Sequence, residues 1–96
     1  MKQFVIYAKD GIDEQAIDRR MAVRPTHFEG IKKLKEGGNY ILGGAILDDN
    51  GKMIGSTMIL QFETEEEFKN WYNNEPYITG NIWEKIEVSP YRVAVV

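Results

Sequence analysis

Residues 40–62 read YILGGAILDDNGKMIGSTMILQF. Two apolar runs, "YILGGAIL" and "MIGSTMILQF", flank the polar "DDNGK", which is the pattern of two strands joined by a hairpin. Asn50-Gly51 is the strongest turn signal in the chain and predicts a type I′ turn, with positive φ at both central residues. In the second strand Ile54, Ser56, Met58, Leu60 and Phe62 alternate onto one face. Gly43-Gly44 interrupts the first strand. Glycines inside a strand mark a bulge or a place where backbone or ligand approaches closely.

Working outward, "TEEEFKNWYNN" after the hairpin opens with Thr64 and Glu67 at capping-box spacing, and its acidic first turn suits a helix dipole. Phe68, Trp71 and Tyr72 form its apolar stripe, and Pro76 ends helical continuation. Before the hairpin, Ile12, Ala16 and Met21 have helical spacing. Arg24-Pro25 predicts a break there, because the residue before proline is pushed out of the α region, with a second helix restarting at Pro25. In that second helix His27, Ile31 and Leu34 share one face, Lys32, Lys33, Lys35 and Glu36 look outward, and Gly37-Gly38 supplies the stop. "FVIYA" (4–8) reads as a central strand ending at Asp10-Gly11. "IWEKIEVSPYRVAVV" reads as strand, divided in two by Pro90.

The order is therefore βαββαβ with an extra segment at the end. That order predicts an α+β, ferredoxin-like domain spanning residues 1–96, an antiparallel sheet with two helices on one face. The other face is left open and apolar, which predicts a homodimer, with further assembly left open.

Composition narrows the function. Twelve basic against fifteen acidic side chains give a net charge of −3, which argues against a nucleic-acid partner. The absence of cysteine removes disulfides, a thiolate nucleophile and a Cys-based zinc site. With one histidine as well, no metal cage is expected. No run approaches the length of a membrane span and the N-terminus does not read as a signal peptide, so a cytoplasmic protein with a small-molecule ligand is expected.

The lone histidine, His27, is the natural proton shuttle. It needs a group to orient it, and two carboxylates compete: Asp10 at the end of the first strand and Glu75 at the break after the acidic helix. Ser56 could hold a substrate oxygen. Arg20 or Arg24, in "RRMAVR", could clamp a substrate carboxylate, although surface ion pairs with Asp13, Glu14 or Asp18 are the commoner use of such arginines.

Five stretches in order, "FVIYAKD", "RRMAVRPTH", "LGGAILDD", "GSTMILQFET" and "NNEPYITGNIWEKIEVSPYR", resemble the YciI-like (YCII-related) family over nearly the whole chain. The resemblance implies a dimeric ferredoxin-like fold related to muconolactone isomerase. It also implies an acid–base cleft centred on a histidine and an acidic residue, with aromatic or lactone chemistry that includes dehalogenation. The family's Arg-Pro-x-His histidine falls on His27. Its Asp-Pro-Tyr reads Glu75-Pro76-Tyr77 here, and its aspartate after the first strand is Asp10. Gly44 stands where many relatives have proline. The expected function is a cofactor-independent acid–base enzyme. His27 and Glu75 or Asp10 would be catalytic, with Arg24, Gly44, Ser56 and Tyr77 around the substrate. The alternative is a non-catalytic metabolite-binding module that uses the same cleft.

Overall fold

The computed structural model describes residues 1–96. Its elements are β1 (Lys2–Asp10), α1 (Ala16–Glu36), β2 (Tyr40–Leu47), β3 (Met53–Phe62), α2 (Glu65–Asn74), α3 (Pro76–Thr79) and β4 (Trp83–Tyr91). The four strands form one sheet in the order β2-β3-β1-β4, with every neighbouring pair antiparallel. This is the ferredoxin-like fold. No helix is long and apolar enough to cross a membrane.

Strand alternation decides what is buried. Phe4, Ile6 and Ala8 of β1 lie beside Leu60, Met58 and Ser56 of β3, and all six are buried under the helices. Phe62 of β3, Leu34 of α1, Phe68 of α2, Tyr77 of α3, and Ile82 and Trp83 complete the core. Each fully buried apolar side chain contributes about 1.5–3 kcal/mol. Val5, Tyr7, Leu42 and Ile59 alternate onto the opposite face, which no element of the chain covers. Thr64 caps α2 as its spacing predicts, its Oγ1 accepting from the Glu67 N–H at 3.1 Å.

Four local expectations are corrected. α1 is not broken at Pro25 but runs through it for 21 residues. Proline forfeits the bond to the Met21 carbonyl, at a cost of about 3 kcal/mol, but both residues are exposed. Buried anchors on either side, Arg20 and His27, hold the helix together across Pro25. Ile12 and Met21 are exposed, so the buried stripe of α1 is Ala16, Arg20, His27 and Leu34, half of it polar.

The hairpin turn is also not type I′: only Gly51 has positive φ, at 83°. Gly51 N–H donates to the Asp48 carbonyl at 3.0 Å, and Asp48 Oδ1 accepts from the N–H groups of Asn50 and Lys52, both at 2.9 Å. The result is a turn over 48–51 whose last residue is the left-handed Gly51. Finally, Pro90 does not divide the last strand. It sits opposite Phe4 in β4, an edge strand, where a missing N–H can face away from the ladder. Residues 92–96 are not strand.

Candidate functional site

The tripeptide Glu75-Pro76-Tyr77 builds the centre of the site. Pro76 forces Glu75 into extended backbone (φ −71°, ψ 123°), which stops α2 and starts α3 with proline in its first turn. Glu75 is then the N-cap of α3, its Oε1 accepting from the Tyr77 N–H at 3.1 Å. The same oxygen meets Nδ1 of His27, whose side chain reaches in from the middle of α1. Both residues are buried, His27 4% and Glu75 2% exposed.

A carboxylate can only accept, so this contact places the hydrogen on Nδ1. A neutral His27 therefore keeps its lone pair on Nε2, which bonds no protein group. The ring is fixed from behind by Tyr77, stacked at 3.8 Å between centroids and 11° between planes. Trp83 lies edge-on to it.

Asp10 is engaged elsewhere. Its two carboxylate oxygens accept from Nη1 of Arg20 at 3.1 and 3.0 Å, in a pair as buried as the first. Arg20 also donates from Nη2 to Ser56 Oγ at 2.8 Å, and Trp83 Nε1 donates to the same oxygen at 3.2 Å. With two bonds accepted at Oγ, the Ser56 hydrogen is left to donate. Of the other arginines, Arg19 pairs with Asp13 at the surface, which holds the Asp13 carboxyl at about 2. Arg24 lies over the Phe28 ring, 4.4 Å from its centroid.

A cleft of about 390 Å³ runs between one side of α1 and strands β2 and β3, within the range typical of ligand sites. Arg20, Arg24, His27, Phe28 and Lys35 line it from the helix, and Gly43, Gly44, Met53, Ser56 and Met58 from the strands. His27, Arg24, Gly44 and Ser56 thus meet at one cleft, with Glu75 and Tyr77 behind the imidazole and Asp10 behind Arg20. The sequence marks Gly43 and Gly44 together as a place of close approach, and both line the cleft. Gly43 sits opposite Met58 on the helix side of the sheet, whereas Gly44 sits opposite Thr57 on the open side. A side chain at Gly43 would start 2.9 Å from the Tyr40 hydroxyl. Lys35 and Lys32, read from sequence as facing solvent, stand at the cleft rim.

Tyr77 carries a testable oddity: its hydroxyl is buried without a partner. Burial pushes the phenol above its ordinary value of 10, against a downward pull from Arg20 and Arg24. The unfolded chain therefore ionises first, and the stability tied to Tyr77 is present below pH 10 and lost as pH rises through the folded value. Tyr77→Phe is expected to match or exceed wild type by about 1 kcal/mol at pH 7, because it removes an unsatisfied buried group. Its advantage should widen above pH 10. Urea unfolding of both proteins across that range is the check, and a Tyr77→Phe loss above about 1 kcal/mol would mean that the hydroxyl has a partner.

Protein YciI of Escherichia coli is 30% identical over 95 residues, covering 93% of this chain and 95% of that protein. An uncharacterized protein of Haemophilus influenzae is also 30% identical over 95 residues, with the same coverage of both chains. Among solved structures, the 5-chloro-2-hydroxyhydroquinone dehydrochlorinase TftG of Burkholderia phenoliruptrix, in complex with 2,5-dihydroxybenzoquinone, superposes with a TM-score of 0.80. It is 23% identical, covering 96% of this chain and 95% of that one. The YCII-related domain matches residues 2–92, and the chain belongs to the YCII-related family.

Proposed function

We propose that this chain is a cofactor-independent acid–base enzyme acting on a small aromatic or lactone-like substrate. The observation that carries the reading is the buried His27–Glu75 pair, with the second imidazole nitrogen left free at the wall of a cleft. Nε2 takes a proton from an acidic position of the substrate. The electron pair moves toward a substrate carbonyl oxygen, held by Arg24, the Ser56 hydroxyl and backbone N–H groups near Gly44. Glu75 orients the ring and stabilises the imidazolium that forms. Returning the proton to another carbon gives isomerisation, and expelling a halide instead gives net loss of HX. Neither outcome changes the oxidation count, so no redox partner is needed. Asp10 acts through Arg20, holding Ser56 in place. A module that only binds a metabolite has no need of a buried carboxylate on the far nitrogen of its histidine.

The test is a panel of chlorinated hydroxyhydroquinones and unsaturated lactones, assayed for chloride release and for ring absorbance with wild type and His27→Gln. Turnover of a panel member by wild type, largely lost in the variant, is the expected result. Equal rates for the two proteins would end the proposal.

A cytoplasmic homodimer completes the reading. Val5, Tyr7, Leu42 and Ile59 share the uncovered sheet face, an apolar patch of the kind that marks an interface. Leu42 is 62% exposed, so Leu42→Lys should leave the isolated fold within about 0.5 kcal/mol of wild type. Sedimentation velocity is expected to give twice the 11.1 kDa chain mass for wild type and a shift toward monomer for Leu42→Lys. A wild type that stays monomeric at every concentration would refute the dimer.

A further inference from the structure

Every charged side chain lining the cleft is basic: Arg20, Arg24, His27, Lys32 and Lys35 stand there with no aspartate or glutamate. The chain as a whole carries −3, so this is a separation of charge and not a reflection of composition. Two of the five are compensated from behind the wall, Arg20 by Asp10 and His27 by Glu75. Arg24, Lys32 and Lys35 have no carboxylate within ion-pair distance. The ion pairs of the chain are Asp13–Arg19, Asp10–Arg20, Glu75–His27 and Glu65–Lys69, and Glu29 and Glu36 on the same helix take no part.

Two buried donors have the same sign. Ser56 has a hydrogen to give after accepting twice. The buried Nε–H of Arg20 has no partner, whereas the Tyr40 hydroxyl has spent its hydrogen on the Gly43 carbonyl at 3.2 Å and is no donor. Of Arg24, Lys32 and Lys35, Arg24 is the best held, half-buried with its guanidinium carbon 4.4 Å from the centroid of the Phe28 ring. That arrangement presents its planar fork with little rotamer freedom to lose. Between these donors lie the apolar surfaces of Phe28, Ile31, Met53 and Met58.

We infer that the cleft takes a compact organic anion, a ring-sized apolar body bearing a carboxylate or an acidic enol or phenol, with its negative oxygens on Arg24 and the rim lysines. A neutral ligand would cover the half-buried Arg24 without compensating its charge, whereas an anion supplies the missing charge to it and to the rim lysines. The inference rests on this cleft being the ligand site. It does not depend on His27 doing chemistry there.

The test uses the single histidine as reporter. Histidine-labelled protein is titrated at pH 7 with two pairs, each an anion and a neutral analogue of similar shape, and followed by the His27 imidazole resonances. The pairs are salicylate with salicylamide, and 2,5-dihydroxybenzoquinone with 2,5-dimethoxybenzoquinone. The two pairs separate a carboxylate from an acidic enol as the recognised group. At least one anion is expected to bind about tenfold tighter than its neutral partner, and to weaken with added salt. Arg24→Gln should lower that anion's affinity about tenfold and leave the neutral partner within about twofold. Lys32→Gln, at an exposed position, is the second variant should Arg24→Gln misfold, and a smaller loss in the same direction is expected.

Neutral partners that bind as well as the anions, or an anion affinity indifferent to both substitutions, would overturn the inference and leave the cleft as a ligand site. If none of the four compounds moves His27, the ligand-site reading falls and the inference falls with it.

Discussion

Asp10→Ala is expected to cost the fold about 3–5 kcal/mol, because it strands a buried guanidinium. Arg20 is 3% and Asp10 6% exposed, and both Asp10 oxygens are spent on one nitrogen of Arg20. Arg20 already carries one unpartnered N–H. Without the carboxylate, Ser56 is its only remaining acceptor, and a hydroxyl oxygen cannot balance a charge. Domains of this size hold about 5–15 kcal/mol in total, so the midpoint of thermal unfolding should drop by more than about 12 °C. The pair itself is a poor source of stability, since two desolvated charges do little better than a well-packed apolar pair. Asp10→Ala with Arg20→Met should therefore recover most of what Asp10→Ala loses, and urea unfolding of the three proteins measures it. The solvent-exposed Asp13–Arg19 pair is the control, and Asp13→Ala should change little. A loss below about 1 kcal/mol for Asp10→Ala would show that water reaches Arg20 and that the pair behaves as a surface one.

Much of the fold was legible because its signals are local and periodic. Alternation placed the faces of β3, the Thr64–Glu67 spacing placed the start of α2, and the order of elements gave the sheet. The failures share a cause: a local rule was outvoted by contacts from elsewhere in the chain. Pro25 should have broken α1, but Arg20 and His27 on either side are pinned by Asp10 and Glu75. Those pins come from β1 and from the segment between α2 and α3, beyond the reach of any local window. The apolar spacing placed Ala16 correctly but not Ile12 and Met21, which are exposed, since the buried stripe of α1 includes two polar residues that only their partners make tolerable.

The site shows the same division. His27 stands out as a lone imidazole, but the choice between Asp10 and Glu75 is one of topology, 48 residues of chain separating Glu75 from His27. Which of Gly43 and Gly44 faces the helices depends on the register irregularity between Tyr40 and Leu42, because a one-residue slip sends every side chain to the opposite face. Lys32 and Lys35 were read as solvated, since a helical wheel cannot distinguish the rim of a cleft from open water.

His27→Gln is expected to lower kcat on any substrate found in the panel by about 10²–10⁴-fold, the usual worth of a positioned general base. Glu75→Gln is expected to fall on the order of 10²–10⁴-fold as well, for a different reason. Its amide oxygen can still accept from the Tyr77 N–H and from Nδ1–H, so the α3 cap and the ring position survive. The charge that balances the imidazolium in the transition state does not. Because Glu75 touches the reaction only through His27, its loss should appear in kcat with KM within about threefold.

For the same reason the double variant should be no slower than His27→Gln alone, since residues acting as a unit lose their effect together. A merely structural Glu75 would behave otherwise, its losses multiplying with those of His27→Gln and tracking the fraction of folded protein. Glu75→Asp separates charge from reach: it restores the carboxylate but draws it back by one methylene. Partial recovery of kcat over Glu75→Gln would assign the effect to charge. Full loss in Glu75→Asp, with the fold intact by urea unfolding, would show that the position of Oε1 against Nδ1 matters more than its charge.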